Sequence, residues 1–292
     1  MSRFIKRCAL ISALGLSVAA ALSAQTPSAV YTDPPHDSVY PARSEVLHIP
    51  SGGVKINGLA YIAEGAGTHP TVILCHGFPG NEKNLDLAQA IRRAGWNVIT
   101  FNYRGSWGSP GEFRFANNPQ DAEAVLAYIQ DTANARMLAV DTRRIVMGGH
   151  SMGGWVTSLV APRHPELRGA FLISAADMGR WYSVPRDKVI EHMASDMESL
   201  AGVTAESMAD EIIAVGSGMR IGGMNARGFA HMPLLILTAD DDLASSVAPL
   251  IEQMKSLGNK RVLVVHRATD HSWNDSRIAL ESTIIRWLQT LD

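Results

Sequence analysis

Apolar and polar positions along this chain follow two periods in turn. Thr71–Cys75 is a continuous apolar run, as a strand covered on both faces requires, and Asn97–Tyr103, Arg144–Met147, Gly169–Ser174, Leu234–Thr238 and Arg261–His266 also read as strands. Between them apolar residues recur at helical spacing. One set is Leu87, Ala88, Ile91 and Ala94, ending at Gly95; another is Ala122, Val125, Leu126 and Ile129. Val247, Leu250, Ile251, Met254 and Leu257 form a third, and Leu280, Ile284, Trp287, Leu288 and Leu291 close the chain. Ahead of this series, Ser44–Ile49 and Val54–Ala63 read as an antiparallel pair around Ser51-Gly52-Gly53. Such alternation predicts an α/β class: a mostly parallel central sheet with helices on both faces and ligands at the carboxyl ends of the strands.

One stretch breaks the rhythm. From Ala176 to Met232 the chain is too long for a simple connection. Val189, Ile190, Met193, Met197 and Leu200 predict one helix, and Met208, Ile212 and Val215 a second that begins near Thr204. Six of the twelve methionines lie between Met178 and Met224, with Trp181 and Tyr182 nearby. A small helical cap over roughly 178–231 fits this pattern, its flexible thioethers lining an apolar pocket to which Trp181, Tyr182 and Met193 contribute. A helical pair that merely packs on the domain is the alternative.

The ends of the chain carry different signals. Arg3, Lys6 and Arg7 precede an apolar run from Cys8 to Leu22, and Leu22-Ser23-Ala24 offers small residues for cleavage. Residues 1–24 therefore predict a secretory signal peptide and an exported protein, periplasmic or secreted, the alternative being an uncleaved anchor. Cleavage would remove three of 26 basic residues and no acidic ones, so 23 positive charges would face 28 negative, a net −5. It would also leave Cys75 alone, without a disulfide partner, inside an apolar run that predicts a buried, inert thiol. Residues 25–43, rich in Pro, Ser and Asp, read as a linker or a surface-hugging arm before a domain over 44–292. The chain is 46% hydrophobic with net charge −2 and has no basic block, which argues against nucleic acid as a partner.

Chemistry concentrates at Gly149-His150-Ser151-Met152-Gly153, directly after the apolar run Ile145-Val146-Met147 and before Gly154-Trp155-Val156. A strand turning sharply into a helix puts the serine at the tip of a strained bend, where its neighbours must be small. Ser151 is thus the candidate nucleophile, and Met152 N–H a candidate oxyanion donor. A serine hydroxyl needs a base, and that base needs an orienting carboxylate. Downstream lie His164, His192, His231, His266 and His271. His271, in the loop past the last strand, can swing over the serine, whereas His266 belongs to the strand and reads as structural. The carboxylate should follow Leu234–Thr238, where Asp240, Asp241 and Asp242 are consecutive; Asp241 is the candidate, with its two neighbours capping the loop or facing water. Asp270 abuts His271 in sequence, a geometry that rarely orients a ring. His76-Gly77-Phe78-Pro79-Gly80 follows the strand Thr71–Cys75, and because Pro79 has no N–H, Phe78 N–H is the second oxyanion donor. His76 reads as a buttress of that loop. Neither metal-ligand spacing nor a phosphate-binding loop is found, so no cofactor and no metal are expected.

These pieces together resemble the α/β-hydrolase-fold serine hydrolases over roughly residues 44–292. The segment Tyr103-Arg104-Gly105-Ser106-Trp107-Gly108-Ser109-Pro110-Gly111 is similar to that of the dienelactone-hydrolase-like and dipeptidyl-aminopeptidase-like branches. In those families the acid lies three residues after a glycine closing its strand; Thr238 stands in that place here, and the spacing lands on Asp241. Some related enzymes carry the acid after the preceding strand, which makes Asp177 the outside candidate. The resemblance implies hydrolysis of a small-molecule carboxylic ester or thioester through an acyl-enzyme. A peptidase or amidase of the same fold is the alternative within the enzymes, weakened because these residues hold no propeller-sized domain to filter peptides. A non-catalytic binding protein on the same scaffold is the alternative of another class.

Overall fold

The computed structural model describes residues 25–195 and 197–291, so the expected signal peptide lies outside the described residues. The chain builds β1 (Arg43–Ser51), β2 (Val54–Ile62), β3 (His69–Cys75), α1 (Leu85–Arg93), β4 (Asn97–Phe101), α2 (Asn117–Gln130), α3 (Thr132–Met137) and β5 (Val140–His150). It continues through α4 (Met152–Val160), β6 (Gly169–Ile173), α5 (Arg186–Met193), α6 (Ala205–Val215), β7 (Leu234–Ala239), α7 (Ala248–Ser256), β8 (Val262–Arg267) and α8 (Arg277–Gln289). Eight strands form one sheet in the order β1-β2-β4-β3-β5-β6-β7-β8. Only β2 runs against the others, pairing antiparallel with both β1 and β4. The hairpin between β1 and β2 turns on Gly52 and Gly53, at φ +54° and +85°, the left-handed backbone such a two-residue turn requires.

The continuous apolar runs are the central strands. Every residue of β6 and β7 is buried, as is β3 from Pro70 onward, because helices cover both faces. One core cluster packs α2, α4 and the insertion after β6 on one side of the sheet; the other packs α1 and α8 opposite. Cys75 is fully buried between them, and burial pushes its thiol up to about 12, so at neutral pH it stays a protonated, unreactive thiol. β8 is the exception among the apolar runs. As an edge strand it has no fully buried residue despite its Val-Leu-Val-Val sequence.

Two elements depart from the expectation. α3 carries no clear apolar period, and its start is set by Asp131, whose carboxylate accepts from Ala133 and Asn134 N–H. In the insertion, the first helix ends at Met193 and does not run on to Leu200. The reason is tertiary: Trp107 N–H donates to Ser199 O, and Ala201 N–H to Gly105 O, so residues 199–201 lie extended along the loop after β4. The second helix, α6, does begin after Thr204, which accepts from Ser207 N–H in a reciprocal cap.

The insertion is fastened to the domain at several points. Trp155 Nε1–H of α4 donates to Met219 O at 2.6 Å, and Glu211 of α6 accepts from Phe115 and Ala116 N–H at the start of α2. At the other end of the chain, residues 25–30 lie against α1 and α8, and Asp37 and Tyr40 bond to Glu64 and Gly65 past β2. Arg93 donates to Ala29 and Val30 carbonyls, and Arg286 to Gln25 O. Among the described residues no helix is long and apolar enough to cross a membrane.

Candidate active site

β5 runs straight into α4 with a single residue, Ser151, between them. Its backbone sits at φ +55°, ψ −121°, a region a non-glycine residue adopts only when its surroundings impose it. The surroundings here are explicit. Ser151 N–H donates to Ile173 O, and Ser151 O accepts from Gly154, Trp155 and Ala176 N–H, so both sides of the bend are tied down. The flanking glycines are required by close approach. A Cβ on Gly149 would lie 2.3 Å from the Gly153 carbonyl carbon, and one on Gly153 only 2.0 Å from Cys75 O.

The loop after β3 lies against this bend, since a Cβ on Gly77 would come to 3.0 Å from Ser151 Cβ. Neither Phe78 N–H nor Met152 N–H donates to another described residue. Two unpaired amides thus flank the serine, one of them at the positive end of α4, an arrangement suited to a developing oxyanion. Beneath the loop His76 is buried; its Nδ1–H donates to Gly77 O, its ring packs 4.7 Å from Tyr103, and burial pulls its pKa down to about 4. It is neutral and faces the loop, not the serine.

The three consecutive aspartates separate by direction. Asp240 pairs with His266 on β8 at 3.0 Å, and Thr238 Oγ1 holds the other nitrogen of that ring. Asp242 is exposed at φ +60°. Asp241 alone of the three reaches His271, whose Nδ1–H donates to Asp241 Oδ2 at 2.8 Å. Its carboxylate is almost wholly buried; burial raises its pKa, but hydrogen bonds from His271, Ser174 and Leu243 N–H outweigh that and hold it below the usual value. Asp177 is committed elsewhere: it is buried, ion-paired to Arg220 and bonded to Ile221 N–H, so it clamps the insertion to the end of β6.

Donation from Nδ1 leaves His271 Nε2 as a lone pair, the tautomer a general base needs. Ser151 Oγ and His271 Nε2 are not hydrogen-bonded to each other in this structure; such bonds often close only around a substrate. What joins the two is His150, one residue before the serine, to which the sequence analysis gave no role. Its Nε2–H donates to His271 O at 2.8 Å, and the rings lie 4.7 Å apart. Burial pulls the His150 pKa down to about 4, so no second positive charge stands beside an imidazolium at His271. The only signal in the sequence was a histidine where any residue fits the elbow pattern. His150→Leu should lower kcat on the order of 10²-fold by letting the His271 loop drift, whereas His150→Gln, which keeps an N–H, should retain most activity. Equal activity in the two variants, measured on one ester, would remove this role.

The pocket candidates divide. Trp181 is half-buried, stacked on His192 at 4.5 Å with Arg180 over its ring, and Tyr182 is exposed. Met193 has no exposed surface and packs in the core under the insertion, so in this structure it is no pocket wall. Helix amphipathicity could not separate a core-facing methionine from a ligand-facing one. Among the described residues no group of three or more potential ligands could hold a metal ion.

The sequence model of the Alpha/beta hydrolase family matches residues 72–280, which span the candidate oxyanion loop, elbow, acid and base. The chain belongs to the alpha/beta hydrolase family. An uncharacterised protein of Mycobacterium tuberculosis is 30% identical over 193 residues, 63% of this chain and 65% of that one. Cutinase 2 of Thermobifida cellulosilytica is 26% identical over 149 residues, covering 50% of this chain and 54% of the cutinase. The chain thus spans less than two thirds of the length of these curated relatives. Among solved structures, an esterase of Pyrobaculum calidifontis superposes with TM-score 0.63 at 19% identity, covering 86% of each chain. The carboxylesterase EstE1, cloned from a metagenomic library, gives 0.62 at 21% identity over 86% of this chain and 89% of that one. These two likenesses bear on the fold of this family member, an eight-stranded sheet with helices on both faces.

Proposed function

We propose that this protein is an exported serine hydrolase that cleaves a carboxylic ester or thioester through an acyl-enzyme. The observation that carries the reading is the Asp241–His271 pair at 2.8 Å, tied through His150 to a serine held at φ +55° between two unpaired amides. His271 Nε2 takes the Ser151 hydroxyl proton as Oγ attacks the carbonyl carbon. Asp241 stabilises the imidazolium, and Phe78 and Met152 N–H hold the tetrahedral oxyanion. The proton then passes to the leaving oxygen as the C–O bond breaks. Water, deprotonated by the same histidine, releases the acid and restores Ser151.

An ester is favoured over an amide because the C–O bond of an ester breaks more readily than the resonance-stabilised C–N bond of an amide, and the relatives named for an activity include cutinases and esterases. Trp181 and Tyr182 at the edge of the insertion supply flat surface for the acyl group. Short and long p-nitrophenyl esters assayed beside aminoacyl-nitroanilides test the reading: the esters should turn over, and faster cleavage of the anilides would make the protein a peptidase.

Export follows from residues 1–24. The mature chain should begin near Gln25, and mass spectrometry of protein from the native cell should find it outside the cytoplasm; soluble cytoplasmic protein still carrying residues 1–24 would rule this out.

A further inference from the structure

Beyond Phe78, the oxyanion loop leads to a second feature. Trp107 is 39% exposed, unusual for so large an apolar side chain, and its backbone is held at φ +49°. It is nonetheless fixed on every side but one. Its indole Nε1–H donates to Pro79 O at 2.8 Å, its N–H to Ser199 O, and its carbonyl accepts from Asn102 Nδ2. Lys83 Nζ stands 4.3 Å from the ring centroid, held there by Asn102 Oδ1. Trp107 borders a cleft of about 470 Å³ together with Asn81, Glu198, Ser199 and Ala201. Ser199 Oγ is buried there with no hydrogen-bond partner among the described residues.

We propose that this cleft is a subsite for a sugar ring, and that the substrate is an O-acylated carbohydrate. The inference rests on the esterase reading above and names its alcohol. A pyranose has an apolar C–H face and a rim of hydroxyls. The immobilised indole matches the face, and the amide of Asn81 and the carboxylate of Glu198 match the rim. A plain aromatic ring would leave that rim without partners. Pro79 O, which anchors the indole, belongs to the same loop as Phe78, so the subsite adjoins the loop that carries the candidate oxyanion donor. The balance is that of hydrolysis: the acyl C–O bond breaks, the sugar oxygen leaves with the proton from His271, and water supplies the hydroxyl of the released acid.

Two measurements test this. In the first, kcat/KM is measured by pH-stat on methyl 6-O-acetyl-glucopyranoside and on propyl acetate. Trp107→Ala and Trp107→Phe both lose the indole N–H bond to Pro79 O, so they are compared with each other: the Ala variant should fall roughly tenfold below the Phe variant on the sugar ester, the scale of one aromatic contact, and lie within twofold of it on propyl acetate. Equal differences on the two esters would overturn the proposal. In the second, saturation-transfer NMR reads binding of the same acetylated glucoside to Ser151→Ala, with no turnover involved. Binding that disappears on adding Trp107→Ala supports the subsite even if the esterase reading fails, and absence of binding overturns it even if simple esters are hydrolysed.

Discussion

Ser151→Ala is expected to lower kcat on esters by about 10⁶-fold, the scale on which losing a triad nucleophile is felt. The size follows from what the substitution leaves. The two amides and the pocket remain, but no covalent intermediate can form, and His271 is left to activate water in a cavity built around Oγ. The bend survives on its backbone bonds to Ile173, Ala176, Gly154 and Trp155, so the loss should come without loss of fold. A fluorophosphonate probe should label wild type and not the variant. Labelling of both at equal strength would show that another residue is the nucleophile.

Asp241→Asn is expected to cost about 10⁴-fold in kcat, with little change in stability. The carboxylate accepts from His271 Nδ1–H at 2.8 Å, and an amide there would offer an N–H instead. The ring would then keep its proton on Nε2 and could no longer take one from serine. The same change at Asp240 should matter little, because its partner is the exposed His266. Asp177→Asn should act differently again, since it weakens the buried pair with Arg220 that pins the insertion. Its expected result is a lower Tm with kcat on a short ester largely kept. A large kinetic loss at Asp177, with Asp241→Asn near wild type, would move the acid to the end of β6.

Much of this site could be read before the fold was known. The elbow is a local object: an apolar strand, a small residue where Gly149 nearly touches Gly153, and a helix that starts at once. Each of these is set by residues close in sequence, so Ser151 and Met152 N–H could be placed from Ile145–Val156 alone. The loop His76–Gly80 is local in the same way, because proline's missing N–H left Phe78 as the donor.

Partner choice was less legible. Chain order put the acid among residues 240–242, after the strand Leu234–Thr238, and the spacing in the families the chain resembles lands on Asp241. What separates Asp241 from its neighbours physically is the direction of each side chain past the end of β7: Asp240 turns to β8, Asp241 to the loop beyond it. His150 drew no role from the sequence because its partner, the carbonyl of His271, lies 121 residues away.

Hydrophobic periodicity by itself determined the α/β class, the strand series and the insertion after β6, since apolar spacing dictates which backbone period can bury a face. Only the tertiary structure decided that residues 199–201 leave the helix to pair with the loop after β4, that Met193 faces the core and that Trp107 faces a cleft. Period tells a side chain that it must be covered, but what covers it is settled by segments distant in the chain.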